Sequence, residues 1–163
     1  MSNQIKRITR LAIVASMYVV LTVAIAPIAY SNLQFRISEI LVLLCFYRKD
    51  YSISLIVGCF ISNLFSPMPL DIVFGTLATA LAVLGISYSK NLFIATLFPV
   101  ILNGIIIGLQ LHFFLDLPLV ESMISVAVGE AAVVSIVGYF VFRILQKNKG
   151  FIELIDANQN LDF

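Results

Sequence analysis

The sequence predicts an all-α integral membrane protein, a bundle of six transmembrane helices. Three observations carry that expectation. Of 163 residues, 61% are hydrophobic and only 12% are charged, about half the charge of an ordinary soluble domain, and the mean hydropathy is +1.05. The charged residues punctuate long apolar runs rather than scattering among them. The lysines and arginines then fall almost entirely on one side of the runs. This composition excludes intrinsic disorder, collagen, a disulfide scaffold and a nucleic-acid binder. A helix needs about 20 apolar residues to cross hydrocarbon, so the length allows six or seven crossings and no soluble domain.

Lys6, Arg7 and Arg10 open the chain, and residues 11–35 carry no charge. Ala24-Ile25-Ala26 imitates a signal-peptide cleavage site, but the apolar run is too long and Pro27 follows it. The first helix is therefore expected from about Ile8 to Ala26, ending near Pro27. The second span, Leu33 to Tyr47, is the weak one: it has 15 residues, with Arg36 and Glu39 in its first half. Arg48-Lys49-Asp50 closes it. The third runs from Tyr51 to Ser66 and ends at Ser66-Pro67-Met68-Pro69. The fourth starts at Leu70-Asp71 and reaches about Tyr88, before a turn at Lys90-Asn91. The fifth spans Leu92 to Leu115, and Asp116-Leu117-Pro118 breaks it. The sixth runs from about Leu119 to Leu145 with Glu130 in its interior. Residues 1–147 thus form the six-helix domain, and 148–163 read as a polar, frayed tail.

The positive-inside rule arbitrates the second span. With six crossings and the N-terminus inside, residues 6, 7, 10, 48, 49, 90, 143, 147 and 149 are cytoplasmic and only Arg36 is outside, a nine-to-one split. Removing the second helix leaves at best seven to three. Both termini are expected in the cytoplasm, with Arg36 snorkelling to the outer surface. Small residues suggest how the bundle closes: Ala12 and Ser16, the Gly75, Ala78, Ala82, Gly85 stripe, Gly104 and Gly108, and Ala131, Ser135 and Gly138. Cys45 and Cys59 lie in apolar runs and read as buried thiols. His112 is the single histidine, which rules out a multi-histidine metal site, and the chain carries no GxxxxGK[ST] phosphate loop. No cofactor and no metal are expected.

An ionisable group inside lipid needs a reason, because a carboxylate at mid-helix costs roughly 2.5–3.5 kcal/mol. Glu130 lies roughly 16 Å into its helix at 1.5 Å per residue. Asn103 sits at similar depth on the fifth helix, and Gln110 lies seven residues further along the same face. Asp71 and Asn63 flank the outer loop between helices three and four. The bland interpretations are a glutamate that glues helices, packing amides, an N-terminal acid for Asp71 and an i,i+3 ion pair for Arg36 and Glu39. The pattern is one-sided, however. Asn63, Asp71, Glu39, Gln110, Asn103 and Glu130 all belong to the outer half, and no polar path continues inward. That describes a cup closed below, which captures a solute but cannot move it alone. Carboxylates, amides and nearby aromatics (Tyr18, Tyr30, Phe35, Phe74) suit a small, nitrogen-rich, cationic heterocycle.

Phe35-Arg36-Ile37-Ser38-Glu39, Ser62-Asn63-Leu64-Phe65-Ser66-Pro67, the string Leu70 to Thr79, Pro99-Val100-Ile101-Leu102-Asn103-Gly104 and Gly129-Glu130 resemble the QueT family over about residues 8–145. That resemblance implies a substrate-binding S component of an energy-coupling factor (ECF) transporter in a bacterial cell membrane. It implies six helices and uptake of a queuosine precursor, the aminomethyl or cyano deazaguanine. It also implies a partner module of one transmembrane coupling protein and two ATPase subunits. Ala12, Ala15 and Ser16 match the small-residue type that packs on the coupling protein. The expected substrate contacts are Glu130, Asp71, Asn103, Glu39, Asn63, Arg36, Gln110, Phe74 and Tyr18. Glu130 or Asp71 would take the ring edge and Glu39 the aminomethyl arm, or the reverse. Other functions fit the residues as well: an S component for a different vitamin, an intramembrane hydrolase using Glu130, Asp71 or His112, or a structural bundle or holin-like pore.

Overall fold

A computed structural model describes residues 3–29 and 35–161, and among them no strand occurs. The helices are α1 (Asn3–Ala24), α2 (Ile37–Tyr47), α3 (Tyr51–Asn63), α4 (Asp71–Tyr88), α5 (Leu92–Leu115), α6 (Leu119–Leu145) and α7 (Lys149–Leu154). A short turn, Ala26–Ala29, follows α1 and contains Pro27. Four helices, α1, α4, α5 and α6, are long and apolar enough to cross a membrane. Together with its apolar surface this makes the chain a multi-pass membrane protein.

Charges and prolines place the boundaries of α4, α5 and α6 where the sequence predicts them. Asn91 caps α5, accepting from Phe93 N at 2.9 Å and Ile94 N at 3.2 Å, so the four unpaired N–H groups of a helix start are partly satisfied. Three expectations are corrected. Helix α1 starts at Asn3 and stops at Ala24, because its basic first turns continue the helix beyond the apolar run. Helix α3 ends at Asn63, three residues before Ser66. The tail is docked rather than frayed. Ile155 is buried in the main core, and the N–H groups of Asn158 and Gln159 reach the Tyr47 carbonyl at 3.0 and 3.2 Å. The Gln159 amide donates to the Cys45 and Phe46 carbonyls, and the Asn160 amide to those of Phe46 and Ser89. The tail thereby satisfies carbonyls that a helix end leaves unpaired.

Helix α2 occupies the centre. It touches α1, α3, α4, α5 and α6, while those five pack in the order α1–α3–α4–α5–α6 around it. Val42 to Tyr47 are all buried. Its first seven residues, Ile37–Leu43, wind as a 3₁₀ helix, which rises about 2.0 Å per residue against 1.5 Å for an α-helix. The tighter winding gives a short helix more reach. Opposite it, α6 changes to π geometry over Ala131–Gly138, directly after Glu130. A Cβ on Gly138 would meet Leu43 at 3.1 Å and Ile40 at 3.7 Å, so glycine lets the two unusual segments close on each other. Gly108 does the same for α5 and α6, where a Cβ would lie 2.8 Å from the Met123 Cα.

Candidate functional site

Consecutive helices run end to end, so the start of α2, the α3–α4 loop and the α5–α6 loop share the end of the bundle opposite the two termini. The polar residues singled out above gather in this half, between the helices. Glu39 and Asn63 are fully buried, and Gln110, Glu130, Asp71, Asn103 and Arg36 are at most 4% exposed. Tyr30 lies outside the described residues, as does Leu33, the expected start of the second span.

Three carboxylates organise the cluster. Glu39, on the 3₁₀ turn of α2, receives the Tyr18 hydroxyl on Oε1, and the Thr79 hydroxyl approaches the same oxygen at 3.4 Å. Asp71, the first residue of α4, receives the Gln110 amide on Oδ1 at 2.6 Å and the Ser66 hydroxyl on Oδ2 at 2.5 Å. The Arg36 guanidinium stands 3.8 Å from Asp71 Oδ2. Glu130 receives the Asn103 amide on Oε1 at 2.9 Å. Asn63 donates to the Asp71 backbone carbonyl at 2.8 Å, and Gly75 leaves room for it, since a Cβ there would sit 2.8 Å from the Asn63 amide nitrogen.

This geometry changes one sequence-based expectation and extends another. Arg36 does not snorkel outward but turns inward to Asp71, and Glu39, three residues on, turns to Tyr18 and Thr79. Asp71 is the acid in the first turn of α4, as one interpretation had it, but it is not the N-cap. The N-cap position of α4 is Leu70, with no side-chain capping bond, and the Asp71 carboxylate ties α2, the α3–α4 loop and α5 together. Phe74, one turn further along α4, packs on Ile107, Leu111 and Val126 and its ring lies 5.8 Å from that of Phe114. It forms the apolar flank beside the polar cluster. Phe35 packs on the main core.

Several contributors escaped the sequence reading. Thr79, Ser66, Cys59 and the Thr22–Ser38 hydroxyl pair (2.6 Å apart) belong to the same buried network. A signal for Thr79 was present: Asp71, Gly75 and Thr79 recur at intervals of four and so share one helix face. Ser66 had only its loop position, which carries no such periodicity.

The chemistry of the cluster is lopsided. Among the described residues, buried acceptor oxygens without a hydrogen-bond partner include Glu39 Oε2, Asn63 Oδ1, Gln110 Oε1 and Glu130 Oε2. The two amides cannot simply flip to remove the surplus. Each already aims its NH₂ at an acceptor of Asp71. Leaving a buried polar group unsatisfied costs about 1–3 kcal/mol, so four acceptors in one cluster describe a place built to receive N–H donors. Three acidic side chains share the cluster with the Arg36 guanidinium, so a cationic ligand would find carboxyl groups to pair with.

Of the small residues on α1, Ala12 and Ser16 lie on its exposed face, along an apolar groove of about 620 Å³ that also includes Ile13, Met17 and Val20. Ala15 is half-buried and belongs to the seam with α3: a Cβ on Gly58 would lie 3.0 Å from the Ala15 carbonyl.

A family profile described as QueT transporter matches residues 8–147. The chain is 33% identical over 143 residues to the queuosine precursor transporter QueT of Lactococcus lactis subsp. cremoris (strain MG1363), covering 77% of this chain and 83% of that relative. No solved structure matches it. Apolar spans enclosing a buried polar cluster are what a membrane transport protein requires, and the family assignment points to transport rather than catalysis. The chain belongs to the QueT transporter family.

Proposed function

We propose that this chain is the S component of an ECF-type transporter and captures a queuosine precursor, an aminomethyl or cyano deazaguanine, from outside the cell. The observation that carries the proposal is the surplus of buried acceptors at Glu39, Asn63, Gln110 and Glu130. A deazaguanine presents an N–H/NH₂ edge that one carboxylate accepts bidentately, and its aminomethyl form adds an ammonium group. The relative from Lactococcus lactis carries the same substrate class in its name.

The hydrogen bonds already made suggest how roles divide. Both oxygens of Asp71 are engaged within the protein, so Asp71 acts as the organiser that aims Gln110 and holds Arg36. Glu130 and Glu39 each keep an oxygen available. Glu130 with Asn103 takes the ring edge, and Glu39 with Tyr18 takes the arm. The chain has no phosphate loop for ATP, so the energy comes from a transmembrane coupling protein and two ATPase subunits, with the exposed Ala12–Ser16 face of α1 docking on the coupling protein. Six crossings, with α2 and α3 as short spans and both termini in the cytoplasm, complete the topology.

Mass spectrometry of small molecules released from the purified protein tests the proposal, followed by calorimetric titration. An aminomethyl or cyano deazaguanine in the released fraction, bound again on titration, is the expected result. A different vitamin there, with no deazaguanine binding, overturns the substrate.

A further inference from the structure

We infer that the end of the bundle carrying the two termini holds a binding site for the phosphate headgroup of an anionic phospholipid. A groove of about 530 Å³ opens there between the α4–α5 turn, the start of α5 and the last turns of α6. Its lining includes Lys90, Asn91, Phe93, Tyr139, Arg143 and Gln146, and no acidic side chain. Among the described residues neither Lys90 nor Arg143 is in an ion pair, whereas Arg7, Arg10, Arg36 and Arg48 all are. The amides are committed in the matching sense. Asn91 Oδ1 accepts from the first turn of α5, and Gln146 Oε1 accepts from the Tyr47 hydroxyl at 3.0 Å. Each therefore offers its NH₂ as a donor. Asn160 also lines the groove and spends its NH₂ on the Phe46 and Ser89 carbonyls, so it brings a neutral amide oxygen. The groove is still the converse of the polar cluster at the other end, because its charged lining is cationic and no carboxylate is there to neutralise it. Phosphate oxygens meet that demand.

Free phosphate would satisfy the charges, but the surroundings favour a lipid. Phe93 and Tyr139 line the groove edge to face, with centroids 5.8 Å apart. Beside them Ile94, Phe140 and Ile144 are 52%, 62% and 71% exposed. These apolar side chains belong to the first turn of α5 and the last turns of α6, the level at which headgroups meet acyl chains. A lipid can thus place its phosphate between Lys90 and Arg143 and its chains along α5 and α6. The site rests on the membrane character of the chain and is separate from the substrate cluster, so it stands whether or not the deazaguanine proposal holds.

The test uses the full chain in nanodiscs of phosphatidylcholine, alone or mixed with phosphatidylglycerol, with retained lipid read by native mass spectrometry. Wild type is expected to retain phosphatidylglycerol in preference to phosphatidylcholine. Lys90→Gln with Arg143→Gln should bind it about thirtyfold more weakly, and Arg143→Gln alone about fivefold, from the loss of a direct charge-assisted contact to the phosphate at each position. Lys147→Gln with Lys149→Gln, at the same end but outside the groove lining, should bind as wild type does. Thermal unfolding confirms that each variant is folded, and the single substitution carries the test if the double one is not. Equal retention of both lipids by wild type, unchanged binding in the Arg143→Gln variant, or displacement of the lipid by millimolar inorganic phosphate overturns the proposal.

Discussion

Asn103 donates to Glu130 Oε1 at 2.9 Å, which leaves Glu130 Oε2 without a hydrogen-bond partner. The pair joins α5 to α6 where α6 passes from α to π geometry. Irregular turns of this kind recur at functional sites, and this one re-aims the residues that follow Glu130 toward α2.

Glu130→Gln makes a sharp test of that pairing. The glutamine can keep its carbonyl toward Asn103, and its NH₂ then occupies the place of Oε2. A donor replaces an acceptor with little change of shape, and the charge is lost. Facing an N–H/NH₂ ligand edge, the variant should bind the aminomethyl deazaguanine more weakly by about 2–5 kcal/mol, or more than roughly thirtyfold. Calorimetry on folded protein reads this directly. Wild-type affinity in the variant would remove Glu130 from the site.

Asp71→Asn separates an organiser from a helix cap. Asparagine substitutes well for aspartate at an N-terminal capping position, so a capping role would leave the variant almost unaffected. Asp71 instead takes the Gln110 amide, the Ser66 hydroxyl and the Arg36 guanidinium. An NH₂ on either side would oppose one of these donors, and Arg36 would lose its charge partner. Breaking a buried pair from one side costs about 3–5 kcal/mol. Thermal unfolding should show a clear loss of stability, with weaker deazaguanine binding alongside it. Unchanged melting would return Asp71 to the role of a cap.

The topology proposal yields to cysteine labelling, because Cys45 and Cys59 are both free and buried and contribute little background. Single cysteines at Lys6, Lys90 and Lys149 should react only with a reagent that has entered the cytoplasm. Labelling at residue 90 from outside would break the six-span arrangement.

Where the fold was legible in the sequence, a local signal marked it. Lys90-Asn91 and Asp116-Leu117-Pro118 bracket α5, and its bounds are those the sequence predicts. Glu130 and Asn103 could be paired by depth alone, because two polar groups in a thin apolar slab have few alternatives. Helix α2 was legible only as a short, weak span. It packs against five other helices, and that burial comes from tertiary contacts that its short apolar run does not disclose. The direction of Arg36 was not legible either, since a side chain near a helix end reaches either solvent or the interior, and only the position of Asp71 decides. The tail looked frayed because its composition is polar, yet its polar groups pair with the carbonyls of Cys45, Phe46, Tyr47 and Ser89. Backbone acceptors leave no mark in a sequence.

That docked tail has a pH dependence. Asp156 receives Arg10 at 2.7 Å and also the Arg48 guanidinium. The hydrogen bond from Arg10 is the main influence holding its carboxyl below the usual aspartate value, with Arg48 assisting. A lowered native value means that its stabilisation is present above the unfolded value of about 3.9 and is lost as pH falls through the native one. Asp156 is half exposed, so the contribution is below about 1 kcal/mol. Amide-exchange protection of residues 149–161 should hold steady from neutral pH to about pH 4 and fall below it. Asp156→Asn should show the lower protection at every pH. An unchanged profile in that variant would assign the docking to the carbonyl contacts alone.

The α1 face distinguishes docking from capture. Ala12 and Ser16 are exposed along the apolar groove, and neither residue touches the polar cluster. Replacing either with phenylalanine fills the groove and prevents a partner helix from approaching closely. Uptake by cells carrying the complete transporter should then fall by at least about tenfold, while calorimetric affinity for the deazaguanine stays at the wild-type value. Gly58→Ala supplies the contrast. Its Cβ would meet Tyr18 Cβ as well as the Ala15 carbonyl, both at 3.0 Å, and Tyr18 is a donor to Glu39. Crowding that seam should shift the Tyr18 hydroxyl and weaken binding itself. Full uptake with phenylalanine at both Ala12 and Ser16 would mean that the coupling protein docks on a different face. Parallel losses of binding in the α1-face and Gly58 variants would mean that α1 acts on the site through the fold rather than through a partner.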